Sequence, residues 1–287
     1  MVSLPKVWKQ TSNLPVQAAC QTLSARAVLL FDIDGVIRDV AASYRRAIVE
    51  TVHQFGGWRP EPAQIDTLKS EGCWNNDWEA SLELLRRHRP SAAAAALPAF
   101  DTLVAAFCEH YFGGDPEGDP ALWRGFIGQE PLLVGPELFT ALSAAGFLWG
   151  FVSGAEPPSA RYVLQRRLGL QDPPLIAMGD APDKPDPTGL LRLAETLLTA
   201  SGTCLGPDAP VVAYLGDTVA DVQTVQRARE RVPAQRFLSL AVSPPHLHEP
   251  GQRERRRLHE QQLLAAGADR ILTSSDQVGR VLEALLD

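Results

Sequence analysis

Residues 27–39 read AVLLFDIDGVIRD: five apolar residues, Ala27 to Phe31, run straight into Asp32, Ile33, Asp34 and Gly35. A short run with no polar residue for either face is the pattern of a strand covered on both sides. The same grammar recurs at 147–152 (FLWGFV, ending at Ser153) and 211–215 (VVAYL, ending at Gly216-Asp217). It returns at 236–242 (RFLSLAV, ending in a Ser-Pro-Pro loop) and, more briefly, at 270–272. Helical patterns lie between and after these runs, at 136–145, 159–168, 187–200, 218–230, 252–266 and 276–286. This alternation predicts an α/β fold, a Rossmann-like three-layer core with a parallel sheet between helices. Function in such a sheet sits at the carboxyl ends of the strands.

The stretch after the first acidic turn behaves differently. It is helical in pattern, has no convincing apolar strand and contains the low-complexity run Ala92–Ala96, while FGGDPEGDP at 112–120 is turn chemistry. The expected organisation is a polar leader (1–26), a core made of 27–40 and 129–287, and an inserted α-helical cap over 41–128.

Composition narrows the function classes. The chain has 287 residues, 45% of them hydrophobic, enough to bury a sizeable core. Its 34 acidic and 27 basic residues give a net charge of −7, so no global positive field draws it to nucleic acid or an anionic membrane. Cys20, Cys73, Cys108 and Cys204 stand far apart, which points to reduced, buried thiols rather than a disulfide framework. Prolines and polar residues interrupt the N-terminus, which lacks the apolar core of a secretory signal, so a cytoplasmic location is expected. The uncharged run 138–155 approaches a membrane span in length, but Gly146, Gly150 and Gly154 punctuate it, and a helix followed by a buried strand fits it better.

Four polar clusters carry the chemistry. Asp32 and Asp34, two apart on extended backbone, point into one small volume, and their repulsion calls for a cation such as Mg²⁺. Taken alone they serve equally as caps for the next turn. Asp217 and Asp221 lie one helical turn apart after another buried strand and converge on the same sheet edge, although they too can act as helix caps. Ser153 and Gly154 end a buried strand and offer a hydroxyl and free N–H groups to a phosphate oxygen. Lys184, one of few lysines in an arginine-rich chain, supplies a compact cation among acids.

In the order FDIDGVIRD, FVSGA, DKPDP and GDTVAD, spanning Phe31 to Asp221, these clusters resemble the four motifs of the haloacid dehalogenase superfamily hydrolases. The likeness is to subfamily I, phosphoglycolate-phosphatase-like members whose helical C1 cap follows the first motif. The resemblance implies a phosphatase acting on a small phosphorylated metabolite through an aspartyl-phosphate on Asp32, with Asp34 as general acid and base. It also implies Mg²⁺ held by Asp32, the Asp34 backbone carbonyl and Asp217, with Asp221 in the outer shell, and phosphoryl oxygens held by Ser153, Gly154 and Lys184. An acid at position 34 favours phosphoryl transfer to water, because an alkoxide leaving group needs a proton. A phosphomutase of the beta-phosphoglucomutase type and a non-catalytic binding protein of the same fold are the rivals.

Specificity is expected from the cap, where EGCWNNDWE offers Trp74, Asn75, Asn76, Asp77 and Trp78 as rigid walls and neutral hydrogen-bonding groups, or equally a solvated turn with two core tryptophans. Arg45, Arg46 and Lys69 read as a solvated face that can also take a second anionic group. His246, His248 and Glu249 have zinc-like residue types without a further ligand nearby, and RERRRLHE at 253–260 reads as a solvated helix face.

Overall fold

Strand β1 (Ala27–Phe31) is buried along its whole length. Its period of two sends Ala27, Leu29 and Phe31 into one hydrophobic cluster and Val28 and Leu30 into another on the opposite face. This is a computed structural model, and it describes residues 25–69, 71, 74, 76–88 and 97–286. Strands β2 (Phe147–Val152), β3 (Leu175–Ile176), β4 (Val211–Gly216), β5 (Phe237–Val242) and β6 (Arg270–Leu272) complete a sheet of order β3-β2-β1-β4-β5-β6. Every pairing is parallel, and β1 sits between β2 and β4 with Phe31 opposite Phe151 and Leu215.

Ten α-helices are described. Four lie between β1 and β2 in sequence: α1 (Tyr44–Gly56), α2 (Pro62–Lys69), α3 (Asp77–His88) and α4 (Phe100–Phe112). The rest flank the strands: α5 (Pro136–Ala144), α6 (Pro157–Arg161), α7 (Thr188–Ala200), α8 (Val219–Arg231), α9 (Arg253–Ala266) and α10 (Val278–Leu286). Helices α5, α6 and α10 cover one face of the sheet, and α7 and α8 cover the other, giving three layers. Helices α1 to α4 build a separate core around Ile48, Val52, Leu84, Leu103, Phe107 and Tyr111. Each fully buried aliphatic or aromatic side chain there contributes about 1.5–3 kcal/mol. Helices α1 to α4 therefore stay folded by packing on one another, apart from the sheet.

Three details differ from expectation. Strand β3 was not foreseen, because two residues behind Pro173-Pro174 carry no periodicity; it pairs only with β2 at the sheet edge. The helix expected at 159–168 starts at Pro157 and widens into a π-helical turn over Tyr162–Arg167. Of the thiols expected to be buried, Cys108 is half-buried and Cys204 exposed, since Cys204 falls in the loop after α7. Cys20, Cys73, Ala92–Ala96 and residues 1–24 of the leader lie outside the described residues. The run 138–155 is α5 followed by β2, and among the described residues no helix is long and apolar enough to cross a membrane.

Candidate active site

The carboxyl ends of β1, β2 and β4 deliver Asp32, Ser153 and Asp217 to one edge of the sheet. Asp32 continues the ladder, its N–H donating to the Leu215 carbonyl (2.9 Å), so its carboxylate is fixed by two strands. Lys184, from the loop between β3 and α7, reaches Asp32 Oδ2 at 3.0 Å and Asp221 Oδ1 at 2.5 Å. The other oxygen of Asp32, Oδ1, is buried and has no hydrogen-bond partner.

The start of α8 holds Asp221 in turn. Its Oδ2 accepts from the Asp217 and Thr218 N–H groups and from the Thr218 hydroxyl, while Thr218 Oγ1 accepts the Asp221 N–H, a reciprocal capping box. Oδ1 faces Lys184 and the hydroxyl of Tyr214, a buried residue that also donates to the Val152 carbonyl (2.7 Å). Burial disfavours the Asp221 carboxylate, but Lys184 and Thr218 more than offset it and hold its pKa below the ordinary value. Lys184 is buried as well, yet Asp221 and Asp32 keep it firmly protonated.

Asp32 and Asp217 go the other way. Burial pushes Asp32 up to about 6, against the pull of Lys184 and with Asp221 and Asp34 adding to the rise. Asp217 is raised well above its usual range by burial and by the neighbouring Asp221 and Asp32. Carboxylate oxygens of Asp32, Asp217 and Asp221 lie within 4.8 Å of one another. Gly35, with φ +76°, lets Asp217 approach so closely that a Cβ at position 35 would stand 2.0 Å from Asp217 Oδ2. An orphaned buried oxygen, converging acids and a glycine-cleared space fit a hard divalent cation with oxygen ligands. Asp221, with both oxygens engaged, is suited to support rather than to ligate.

Asp34 faces the same cleft, and Arg38 Nε donates to its Oδ1 at 2.7 Å. Arg38 is fully buried; its Nη1 reaches Glu130 Oε2 at 2.9 Å and its Nη2 reaches Ser159 Oγ at 2.8 Å and the Tyr44 hydroxyl at 3.4 Å. Glu130 also accepts from Ser43 (2.5 Å) and Tyr111 (3.1 Å). Arg38 thus ties the second aspartate to α1, α4 and α6 together. Sequence reading passed over Arg38 and Glu130. The available signal was a lone arginine within an otherwise apolar and acidic stretch, which must find a carboxylate when buried.

Ser153 is buried at the end of β2, its Oγ accepting the Ala155 N–H (3.2 Å), while Gly154 is exposed to the cleft with open space around its Cα. The cleft between sheet edge and helices α1 to α4 encloses about 730 Å³, ample for a small ligand. Asn76, Asp77 and Trp78 line it, as does Glu156 at the head of α6. Trp74 instead donates to Glu71 and lies under Arg87, away from the cleft, and Asn75 lies outside the described residues. Arg45 and Lys69 reach the cleft paired with Asp66 and Asp77, whereas Arg46 packs over the Phe126 ring.

The run 253–260 is a largely solvated face of α9, as read, but one side of it borders the cleft. Arg255, Leu258 and His259 turn toward the cleft, Arg255 pairing with Asp66 and His259 Nε2 donating to the Asp217 carbonyl at 2.9 Å. Of the zinc-like residues, His248 bonds to the Ser243 carbonyl, and among the described residues the only cluster with metal-holding geometry is that of Asp32, Asp217 and Asp221.

Comparison with known proteins agrees with this arrangement. Among solved structures, phosphatase Tt82 from Thermococcus thioreducens superposes with a TM-score of 0.55 at 20% identity, over 74% of this chain and 91% of that one. CbbY from Rhodobacter sphaeroides in complex with phosphate gives 0.57 at 19% identity, over 89% and 96%. Both likenesses concern the fold. A protein named imidazoleglycerol-phosphate dehydratase from Phytophthora nicotianae is 30% identical over 212 residues, 70% of this chain; the chain spans 41% of that relative's length. The family model for haloacid dehalogenase-like hydrolases matches residues 27–229, which contain all four clusters. With that match and the sheet that gathers its motifs, the chain belongs to the haloacid dehalogenase-like hydrolase family.

Proposed function

We propose that the chain is a Mg²⁺-dependent phosphatase for a small phosphorylated metabolite, with residues 41–128 acting as the cap over its site. The observation that carries the reading is the state of Asp32, a residue that lines the cleft: one oxygen is fixed by Lys184 and the other is buried and unpartnered. A carboxylate so placed is a nucleophile held for attack. Its oxygen bonds to phosphorus as the ester oxygen leaves, and Asp34 gives that oxygen a proton. Water then attacks the phosphorus of the aspartyl-phosphate, Asp34 takes the water's proton, and inorganic phosphate departs with Asp32 restored.

Asp32, Asp217 and the Asp34 carbonyl would hold the metal, which supplies positive charge against the phosphoryl oxygens when bound. Asp221 keeps Lys184 in place and charged, and Lys184 balances the charge of the phosphoryl group. Ser153 and the Gly154 N–H take the remaining phosphoryl oxygens. Arg38 holds Asp34 by one oxygen and leaves the other toward the substrate. The cap, brought down over the cleft, excludes bulk water while Asp32 attacks. The relative from Phytophthora nicotianae is named for a small phosphomonoester, which supports a substrate of that size.

The test is release of inorganic phosphate from a panel of small phosphomonoesters with Mg²⁺. Asp32→Asn is expected to lower kcat by about 10³-fold or more, and chelation to abolish turnover until Mg²⁺ is returned. Mg²⁺ at about 100 times its Kd should also stabilise the protein by about 2.7 kcal/mol in a melt. Full activity in Asp32→Asn, or no metal effect on either readout, overturns the reading.

A further inference from the structure

The charges that line the cleft are nearly all compensated by one another. Arg45 and Arg255 share Asp66, Lys69 pairs with Asp77, Arg38 with Asp34 and Glu130, and Lys184 with Asp32 and Asp221. The surplus cation of the Arg45, Asp66 and Arg255 group sits at the rim, where water screens it; Arg255 is half exposed. Two carboxylates are exceptions: Asp217, which belongs to the acidic cluster at the sheet edge, and Glu156, which does not. Among the described residues no donor bonds to the Glu156 carboxylate, although it lines the cleft and is half-buried.

Its position is informative. Glu156 follows the Ser153-Gly154 turn by two residues and so begins where a phosphoryl group would end. Its field reaches Asp34 and Arg38 on the core side and Asp77 on the cap side. Aromatic rings of Tyr44, Trp78 and Phe107 line the same cleft. An unpaired, half-buried carboxylate costs free energy unless a partner arrives, and a flat or compact cation satisfies both carboxylate and ring faces.

Resting on the phosphatase reading, we propose that Glu156 is a specificity-determining residue that receives a basic nitrogen, an ammonium or imidazolium, on the alcohol portion of the phosphomonoester, with Trp78 and Tyr44 as the walls beside it. Asp77 adds negative field from the cap. A carboxylated or sugar leaving group brings no cation to Glu156 and is disfavoured.

Matched pairs test this: 2-aminoethyl phosphate beside 2-hydroxyethyl phosphate, and an imidazolyl-alkyl phosphate beside its phenyl-alkyl analogue, with 2-phosphoglycolate as the acidic counterpart. p-Nitrophenyl phosphate serves as a general phosphatase substrate. The nitrogen-bearing member of at least one pair is expected to show about tenfold higher kcat/KM, and Glu156→Gln, verified as folded by its melt, to collapse that ratio toward one. Hydrolysis of p-nitrophenyl phosphate with equal or reversed preference in both pairs, or a ratio unmoved by Glu156→Gln, overturns the assignment while the phosphatase reading stands. Absence of any phosphate release, with the protein folded and Mg²⁺ present, fails the phosphatase reading itself and takes this assignment with it.

Discussion

Glu156 also has a signature in the free protein. Burial, with Asp34 and Asp77 adding to it and Arg38 opposing, pushes its pKa up to about 7 from an ordinary carboxylate value near 4.5. A carboxyl whose folded pKa is raised binds protons more tightly in the native state. Its ionisation therefore subtracts stability as pH climbs from the unfolded value to the folded one, and the cost is constant above about 7. Glu156→Gln should melt at the same temperature as the parent near pH 4.5 and be more stable by about 1 to 2 kcal/mol at pH 8, part of the nominal cost being lost to solvent screening. Thermal melts of both proteins across that range check it. A stabilising substitution within a cleft is the trade expected where a residue is kept for binding.

At the scale of elements, the α8 N-terminus shows how local grammar builds the site. Thr218 both caps the helix and holds Asp221, which holds Lys184. Thr218→Ala should cost about 1 kcal/mol in a urea titration and lower kcat more than it raises KM, because the lysine loses its fixed neighbour. Most of this level was legible in the sequence. β1, β2 and β6 fall at 27–31, 147–152 and 270–272 as read; β6 is an edge strand whose Arg270 is exposed, while β1, buried along its whole length, needs only hydrophobicity to declare itself. β3 did not, because two residues have no period. In the site, Asp32, Asp217, Asp221 and Lys184 meet as their strand ends required. Asn76, Asp77 and Trp78 reach the cleft while Trp74 turns away, a distinction set by tertiary packing. Arg38, Glu130 and the approach of Arg255 to the cleft escaped notice because their partners lie far off in sequence: Glu130 stands 92 residues from Arg38, and Arg255 stands 189 from Asp66.

Across the whole molecule, one buried ion pair joins the two cores. Arg38 and Glu130 are both wholly withdrawn from water, and their hydrogen bonds end on Ser43, Tyr44 and Tyr111 from the helical side and on Ser159 from the sheet side. Arg38→Met leaves Glu130 as an uncompensated buried charge and should destabilise the fold by about 3–5 kcal/mol. The double variant Arg38→Met, Glu130→Gln should recover a large part of that loss in the same denaturant titration, since the orphaned charge is gone. Away from this junction, residues 41–128 meet the rest of the chain at the Trp123–Tyr162 ring contact (5.1 Å) and at the solvent-exposed pair of Arg255 with Asp66, the latter worth about 1 kcal/mol at most. It follows for protein engineering that residues 41–128 are not an interchangeable cassette. Exchanging residues 41–128 for the helices of another family member would remove Ser43, Tyr44 and Tyr111 but leave Arg38, Glu130 and Ser159 behind. A chimera that keeps all six together is the one expected to fold with its second aspartate correctly aimed.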